Sequence, residues 1–420
     1  MKRNAFVFLA FIMIACSSMS SKARNEDQKT DTKEEISEEM KKEGIRKVLT
    51  GIDVLERDSF KILKGKRIGL ITNHSAQNSN GISTVELLSR NTRLVKLFAP
   101  EHGIEGSHGK PFPGSWNYDY GIPVISLYSK SKKPSSSDLD DIDALVFDIQ
   151  SAGARYYTYI TTMGYCMEAA AMHNKEFIVL DRPNPAGGNK VSGAVPLKTE
   201  CKSFICYYSL ATQHGMTIGE LANMFKEEKK LSLELTVIQM KGWSRSMTYD
   251  KTGLSYIPPS PNLKRQESII PYCILGFLEH SNISVGRGTE YPFEIYGAPF
   301  IDEKNMVEEL NNFRLKGVEF KEATFIPEGS FYKGKLCKGF RIHISDKSEY
   351  EGNEIAMAVL VTLHKLNKHN FKPSNAFNSA FGSRKISNLV FRDTDIKILK
   401  HLLMKQNETF LGRRKKYLLY

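Results

Sequence analysis

The sequence predicts an α/β fold: a mostly parallel sheet covered by helices, followed by a second, smaller α+β domain. Three observations predict it. From about residue 48 to residue 240, short apolar runs alternate with helical segments, the pattern of successive βαβ units. Four of those runs stop at a residue able to do chemistry. Arg67–Thr72 leads into Asn73-His74, Leu94–Ala99 into Pro100-Glu101-His102, Ala144–Phe147 into Asp148, and Phe177–Leu180 into Asp181-Arg182. After residue 241 the chain becomes loop-like around Pro258-Pro259-Ser260-Pro261-Asn262, a stiff linker that separates two parts.

The elements follow in order. Lys2-Arg3 precede an apolar run, Ala5 to Ala15, that stops at Cys16. A positive start and an apolar stretch too short to span a bilayer read as an export signal over residues 1–15. Cys16 directly after Ile14-Ala15 resembles the lipobox of bacterial lipoproteins, which implies lipidation there, with cleavage elsewhere to a soluble secreted protein as the alternative. The protein is therefore expected outside the cytoplasm, held to a membrane through a lipid anchor only and facing the periplasm or cell exterior. Residues 16–45, rich in Ser, Lys and Glu, read as a flexible tether.

A Rossmann-like domain is expected over 46–262. Its strands fall near 67–73, 94–99, 123–128, 144–148, 176–181 and 233–240, and its helices near 82–91, 155–174 and 217–229. Thr217 and Glu220 have the spacing of a capping box at the start of the last helix. The smaller domain, 263–420, is expected to hold helices near 271–280, 305–315, 351–367 and 394–405. Its strands lie near 318–326 and 338–345, and a Gly-rich loop runs from Gly286 to Gly297.

Composition excludes several classes. With 41% hydrophobic and 25% charged residues in 420, the chain is ordinary globular material. Its formal charge of +12 is spread along the sequence, and the one dense run is Arg413-Arg414-Lys415-Lys416. No nucleic-acid module or aromatic-interleaved basic stripe is present. That charge reads as a solvated basic surface, with attraction to an acidic substrate or envelope as the functional alternative. Apart from Cys16 the cysteines are Cys166, Cys201, Cys206, Cys273 and Cys337, an odd set read as mostly buried thiols. Cys201 and Cys206 are the only close pair, and a disulfide between them is the alternative.

The first strand is not followed by a G-x-G-x-x-G turn, and the chain has no P-loop, H-E-x-x-H or G-x-S-x-G. The ten histidines are scattered without metal-ligand spacing, so neither metal nor cofactor is expected. Carboxylate, imidazole, amide, Arg and Tyr chemistry remains. It suits acid–base work on a sugar better than acyl transfer.

Longer motifs then carry a resemblance. VFDIQ at 146–150 continues into GARYYTYITTMG at 153–164. FAPEHG (98–103), DRPNPAGG (181–188), HGMTIGELA (214–222), PSPN (259–262) and GRGTEYPFEIYGAPF (286–300) complete the set. Together they resemble the NamZ-type exo-β-N-acetylmuramidases, glycoside hydrolase family 171, formerly domain-of-unknown-function family 1343. The likeness runs from about Gly51 to the closing YLLY at 417–420. The chain departs from the family pattern in the Asn262-Leu263-Lys264-Arg265 continuation, at Glu290, and in the loop after Gly106.

The resemblance implies an exo-acting glycosidase, without cofactor, that removes N-acetylmuramic acid from the non-reducing ends of peptidoglycan fragments. Its partners would be muramyl saccharides, with oligomeric state left open. A non-catalytic peptidoglycan-binding lipoprotein and a β-hexosaminidase of other specificity are the competing readings. Glu101 takes the role of general acid, with His102 orienting it. A second carboxylate is required at ~5–5.5 Å for retention or ~6.5–9.5 Å for inversion. Asp148 stands first, with Asp181, Glu290 and Glu294 as alternatives. Muramic acid carries a lactyl carboxylate, and Arg155 and Arg287 are the arginines to grip it. Tyr156, Tyr157 and Tyr159 offer a stacking platform. Asn73, His74, Arg182, His214 and Asn262 are the remaining expected substrate contacts, each of which reads equally well as a turn or cap residue.

Overall fold

The computed structural model describes residues 47–107, 115–117, 120–129 and 131–420. The expected signal segment, Cys16, the tether and most of the loop after Gly106 lie outside the described residues.

Seven strands form the first sheet: β1 Arg67–Thr72, β2 Arg93–Ala99, β3 Ser115–Asn117, β4 Ile122–Ser126, β5 Ala144–Asp148, β6 Glu176–Leu180 and β7 Leu235–Ile238. They lie in the order β3-β4-β2-β1-β5-β6-β7. All neighbours are parallel except β3, which runs antiparallel to β4. The four strands singled out by their polar ends, β2, β1, β5 and β6, are adjacent. Their carboxyl ends therefore share one edge, where ligands bind in open α/β sheets.

The strands are apolar on both faces because both faces are covered. Ile71, Phe98, Leu145, Phe147, Phe177 and Val179 pack with Tyr159, Ile160, Met163 and Leu221. The alternate residues Ile68, Leu70, Leu97, Val146, Ile178 and Leu180 pack with Ile52, Leu55, Val85 and Leu88. Period-two alternation thus sends successive residues of each strand to opposite layers. The helix Ile218–Glu228 starts as expected: Thr217 Oγ1 accepts from Glu220 N at 3.2 Å, and Glu220 Oε2 accepts from Thr217 N at 2.9 Å.

The second sheet comprises β8 Ile295–Ala298, β9 Glu319–Phe325 and β10 Cys337–His343, antiparallel in the order β8-β10-β9. Helices Glu303–Asn312 and Gly352–Leu366 accompany it, and helix Ile396–Arg414 follows near the chain's end.

Some elements differ from expectation. The helix expected from residue 155 begins at Tyr159, because Arg155 N is engaged by Thr212 O at 2.8 Å. Helices Gly51–Arg57, Ser136–Leu139, Phe377–Phe381 and Arg384–Val390, and strand β3, were not anticipated. Strand β8 lies inside the stretch read as a Gly-rich loop. The basic run at the end is largely a clamp instead of a free basic surface. Arg413 pairs with Glu228, Lys416 pairs with Glu227, and buried Arg414 donates to the carbonyls of His214 and Gly215 at 2.9 and 2.6 Å.

Candidate active site

Glu101 leaves the end of β2 on a tight loop in which His102, Gly103 and Gly106 all have positive φ, of 74°, 78° and 70°. The loop is tied to the end of β1 by His74 N donating to Ile104 O at 2.6 Å. A Cβ on Gly106 would sit 2.0 Å from the His74 ring, so only glycine lets the loop lie this close. The His74 Nε2 is 2.8 Å from Pro258 O, which joins the loop to the stiff linker.

Thr158 Oγ1 lies 2.6 Å from Glu101 Oε2, and the Tyr159 hydroxyl donates to Glu101 O at 3.3 Å. Tyr128, just past β4, lies near enough to Glu101 to feel its charge. Burial first, and then the Glu101 charge, push its phenol up to about 12. A hydroxyl can donate to a carboxylate or accept from a carboxylic acid. The Thr158 hydroxyl can therefore pair with the Glu101 carboxyl whether that group donates or accepts.

Tyr159 is held by Asn73 Nδ2 at 3.0 Å, while Asn73 Oδ1 accepts from Ser75 N and Ser75 Oγ at 3.0 and 2.6 Å. Tyr157 and Tyr159 donate to Pro259 O at 2.8 and 3.0 Å, and the Tyr156 hydroxyl donates to Tyr272 O. All three tyrosines are buried, and they pack edge-on with one another or with Tyr272. They build the wall behind Glu101 and offer no open stacking face. Asn73 likewise positions Tyr159 through Nδ2 while its Oδ1 holds Ser75.

The second domain contributes Arg287, which is ion-paired to Glu279 and stacked over Phe293 at 5.5 Å. Phe293 meets Tyr272 edge-on, with centroids 4.7 Å apart. Burial opposes the Arg287 charge, but the carboxylates of Glu279 and, farther off, Glu101 outweigh it and raise its pKa. Tyr272 feels both carboxylates as well. Glu279 and Glu101 thus act on the same two side chains, Arg287 and Tyr272. The sequence reading missed Glu279 because it sits in a helical turn, Gly276–His280, with no motif around it.

The other carboxylates considered from sequence are placed elsewhere. Asp148 is fully buried, ion-paired to Arg182 and bonded by Thr84 Oγ1 at 2.5 Å. The cause is the strand period: Val146 and Asp148 face the layer of the Thr84–Asn91 helix, and Phe147 faces that of Tyr159. This corrects Asp148 as the catalytic partner and Arg182 as a substrate contact, since each neutralises the other. Asp181 is also fully buried, accepting from Gly219 N, Thr217 Oγ1 and the Tyr420 hydroxyl at 2.8, 2.7 and 2.7 Å. Glu294 is consumed by Arg265, Arg341 and Ser268. Glu290 is exposed on the loop after Arg287, and Asn262 is half-buried on the linker.

Two further corrections concern cations and imidazoles. The buried Arg155 donates to Ser379 O at 2.8 Å and Ala380 O at 2.6 Å, so it fastens the second part of the chain to the first instead of facing a ligand. His214 is buried, and its Nδ1 accepts from Met216 N at 3.1 Å. Burial, then the charges of Arg414 and Arg245, hold its ring down to about 3, so it stays neutral and structural. A cleft of about 800 Å³ between Pro185–Lys190 and Ile344–Tyr350 contains none of the residues considered from sequence. Among the described residues no group of three or more His, Cys, Asp or Glu is arranged to hold a metal ion.

A strand-end carboxyl bonded by the Thr158 hydroxyl, whose charge reaches an arginine of the second domain, marks a two-domain α/β protein with polar groups gathered at the sheet's carboxyl edge. The model of the NamZ exo-β-N-acetylmuramidase N-terminal domain matches residues 68–267, and that of the C-terminal domain matches residues 270–420. The chain belongs to this family. It is 40% identical over 426 residues, covering 100% of both chains, to the peptidoglycan β-N-acetylmuramidase NamZ of Bacillus subtilis strain 168. Two crystal structures of DUF1343 family proteins from Bacteroides fragilis also match. One has TM-score 0.82 at 37% identity and the other 0.71 at 29%, each covering 89% of this chain and 99% of the other.

Proposed function

We propose that this protein is an exo-acting glycosidase that releases N-acetylmuramic acid from the non-reducing ends of peptidoglycan fragments, with Glu101 as the general acid. The observation that carries it is the seat of Glu101: at the ligand-binding edge of the sheet, between Thr158 and Tyr128, and in the electrostatic field of a second-domain arginine. In this reading Glu101 protonates the bridging oxygen as the bond to the leaving sugar breaks. His102, held with positive φ, fixes the turn that aims it. The full-length likeness to a peptidoglycan β-N-acetylmuramidase supports the sugar class. The test is a chromogenic β-N-acetylmuramide beside the matching glucosaminide. Turnover of the muramide alone is expected, and turnover of the glucosaminide alone, or of neither, overturns the reading.

Arg287 supplies the cation for the lactyl carboxylate. Glu279 holds the guanidinium in place until substrate arrives and is the carboxylate best situated to be the second acid. A lysine keeps the charge but loses the two-pronged grip. Arg287→Lys should therefore lower the muramide-to-glucosaminide ratio of kcat/KM about tenfold, the size of one lost charged hydrogen bond; an unchanged ratio removes Arg287 from recognition.

The lipid anchor at Cys16 belongs to the same reading, as the substrate lies outside the cytoplasm. No helix among the described residues is long and apolar enough to cross a membrane. Cys16→Ser should shift the protein from the membrane to the soluble fraction on cell fractionation, and retention in the membrane would refute the anchor.

A further inference from the structure

The thiols of the loop from Cys201 to Cys206 have no part in the reading above, yet they sit close to its centre. Cys201 Sγ and Cys206 Sγ are 3.7 Å apart, Cys201 partly exposed and Cys206 buried. The backbone between them is already closed. Cys206 N donates to Ser203 O at 3.0 Å, and Ser203 N donates to Cys206 O at 3.3 Å. Cys166, Cys273 and Cys337 are buried free thiols.

Between the two sulfurs the loop carries Phe204. Its ring packs on Tyr128 and Tyr165, with centroids 5.8 and 6.1 Å away, and the Lys132 ammonium lies 4.1 Å over its face. Its carbonyl accepts from Thr161 Oγ1 at 2.7 Å, on the helix that begins at Tyr159. Tyr128 in turn lies near Glu101, whose charge acts on its phenol. A short path of neighbouring groups therefore runs from the sulfur pair through Phe204 and Tyr128 to the carboxyl group.

We propose that Cys201 and Cys206 are a redox pair that closes to a disulfide, and that closure clamps Phe204 against Tyr128 and so changes the setting of Glu101. The second half rests on the reading of Glu101 as the working acid; the first does not. A disulfide needs its sulfurs ~2.05 Å apart, so closure requires side-chain rotation and a small tightening of the turn. The oxidant is an external disulfide, R–S–S–R. The exposed Cys201 sulfur displaces one R–S group to give a mixed disulfide. The Cys206 sulfur then attacks Cys201 Sγ and expels the second R–S group. Two protein thiols lose two electrons and two protons in all, and one external disulfide becomes two thiols. Cys206 suits the closing step: with Cys201 held in the mixed disulfide, the Arg155 charge, working against burial, still favours the Cys206 thiolate that attacks.

The test equilibrates the full chain with excess oxidised glutathione, alkylates the remaining thiols and maps disulfides by mass spectrometry without reduction. An intramolecular bridge between Cys201 and Cys206 is expected, with Cys166, Cys273 and Cys337 unbridged and a thermal midpoint raised by a few degrees. Alkylation of both thiols, or glutathione left on Cys201, overturns the pair. In the muramide assay the oxidised form should differ from the reduced form at least about twofold in kcat at unchanged KM. Cys201→Ser should abolish that difference while matching the reduced rate. Equal rates for a fully bridged and a fully reduced sample overturn the clamp. If neither form turns over muramide, the glycosidase reading has failed, and disulfide mapping still decides the pair.

Discussion

Glu101→Gln should lower kcat on a β-N-acetylmuramide at least ~10²-fold, the scale of a lost general acid. The carboxamide has nearly the same shape and can still bond the Thr158 hydroxyl, so the loop from Pro100 to Gly106 keeps its ties. What it lacks is a proton to give to a leaving oxygen. The thermal midpoint should therefore stay close to wild type while the rate collapses. Near-normal turnover, with the fold verified by circular dichroism, would remove Glu101 from the chemistry and leave the site without an acid at the β2 edge.

The second large effect falls on stability. Asp148→Ala should destabilise the protein by ~3–5 kcal/mol, the cost of leaving a buried charge without its partner. Arg182 is 6% exposed, and of its guanidinium's bonds only that to Gln77 O, at 2.9 Å, would persist. Removing both charges, as in Asp148→Ala with Arg182→Met, should recover part of the loss, because the stranded guanidinium is then gone. Denaturant unfolding of the three variants checks this. A single variant as stable as wild type would mean that the pair is solvated and that Asp148 has access to the cleft.

The sheet was legible because its strands are buried on both faces and bounded by polar residues, so each apolar run read as one strand. The shared polar edge followed from parallel order alone. Which strand-end acid faces ligand was harder to read. Glu101 lies beyond the last paired residue of β2, where the loop sets its direction, whereas Asp148 is still inside β5 and obeys the strand alternation. Counting that alternation from Phe147 would have turned Asp148 toward Thr84. Arg155 and the neighbouring tyrosines were read as ligand contacts because their residue types suit sugars, but burial is a tertiary property that one sequence does not display. Glu279 and Tyr128 lie outside the motifs considered for the site, and only folding brings them near Glu101. Strand β3 is three residues long and leaves almost no pattern to detect.

The chain's end has a consequence for the order of assembly. Met240 N donates to the Tyr420 hydroxyl at 2.8 Å across 180 residues, and that hydroxyl reaches Asp181 across 239. Leu419 N adds a bond to Glu220 at 2.9 Å, and the Tyr420 ring stands edge-on to Trp243. Contacts of such sequence separation carry the largest loop-closure cost and form late. The far side of the first sheet therefore waits for a segment made long after its strands, and a nascent chain leaves that side unfinished until it arrives. Until then, Asp181 lacks its phenol donor and Trp243 its aromatic neighbour.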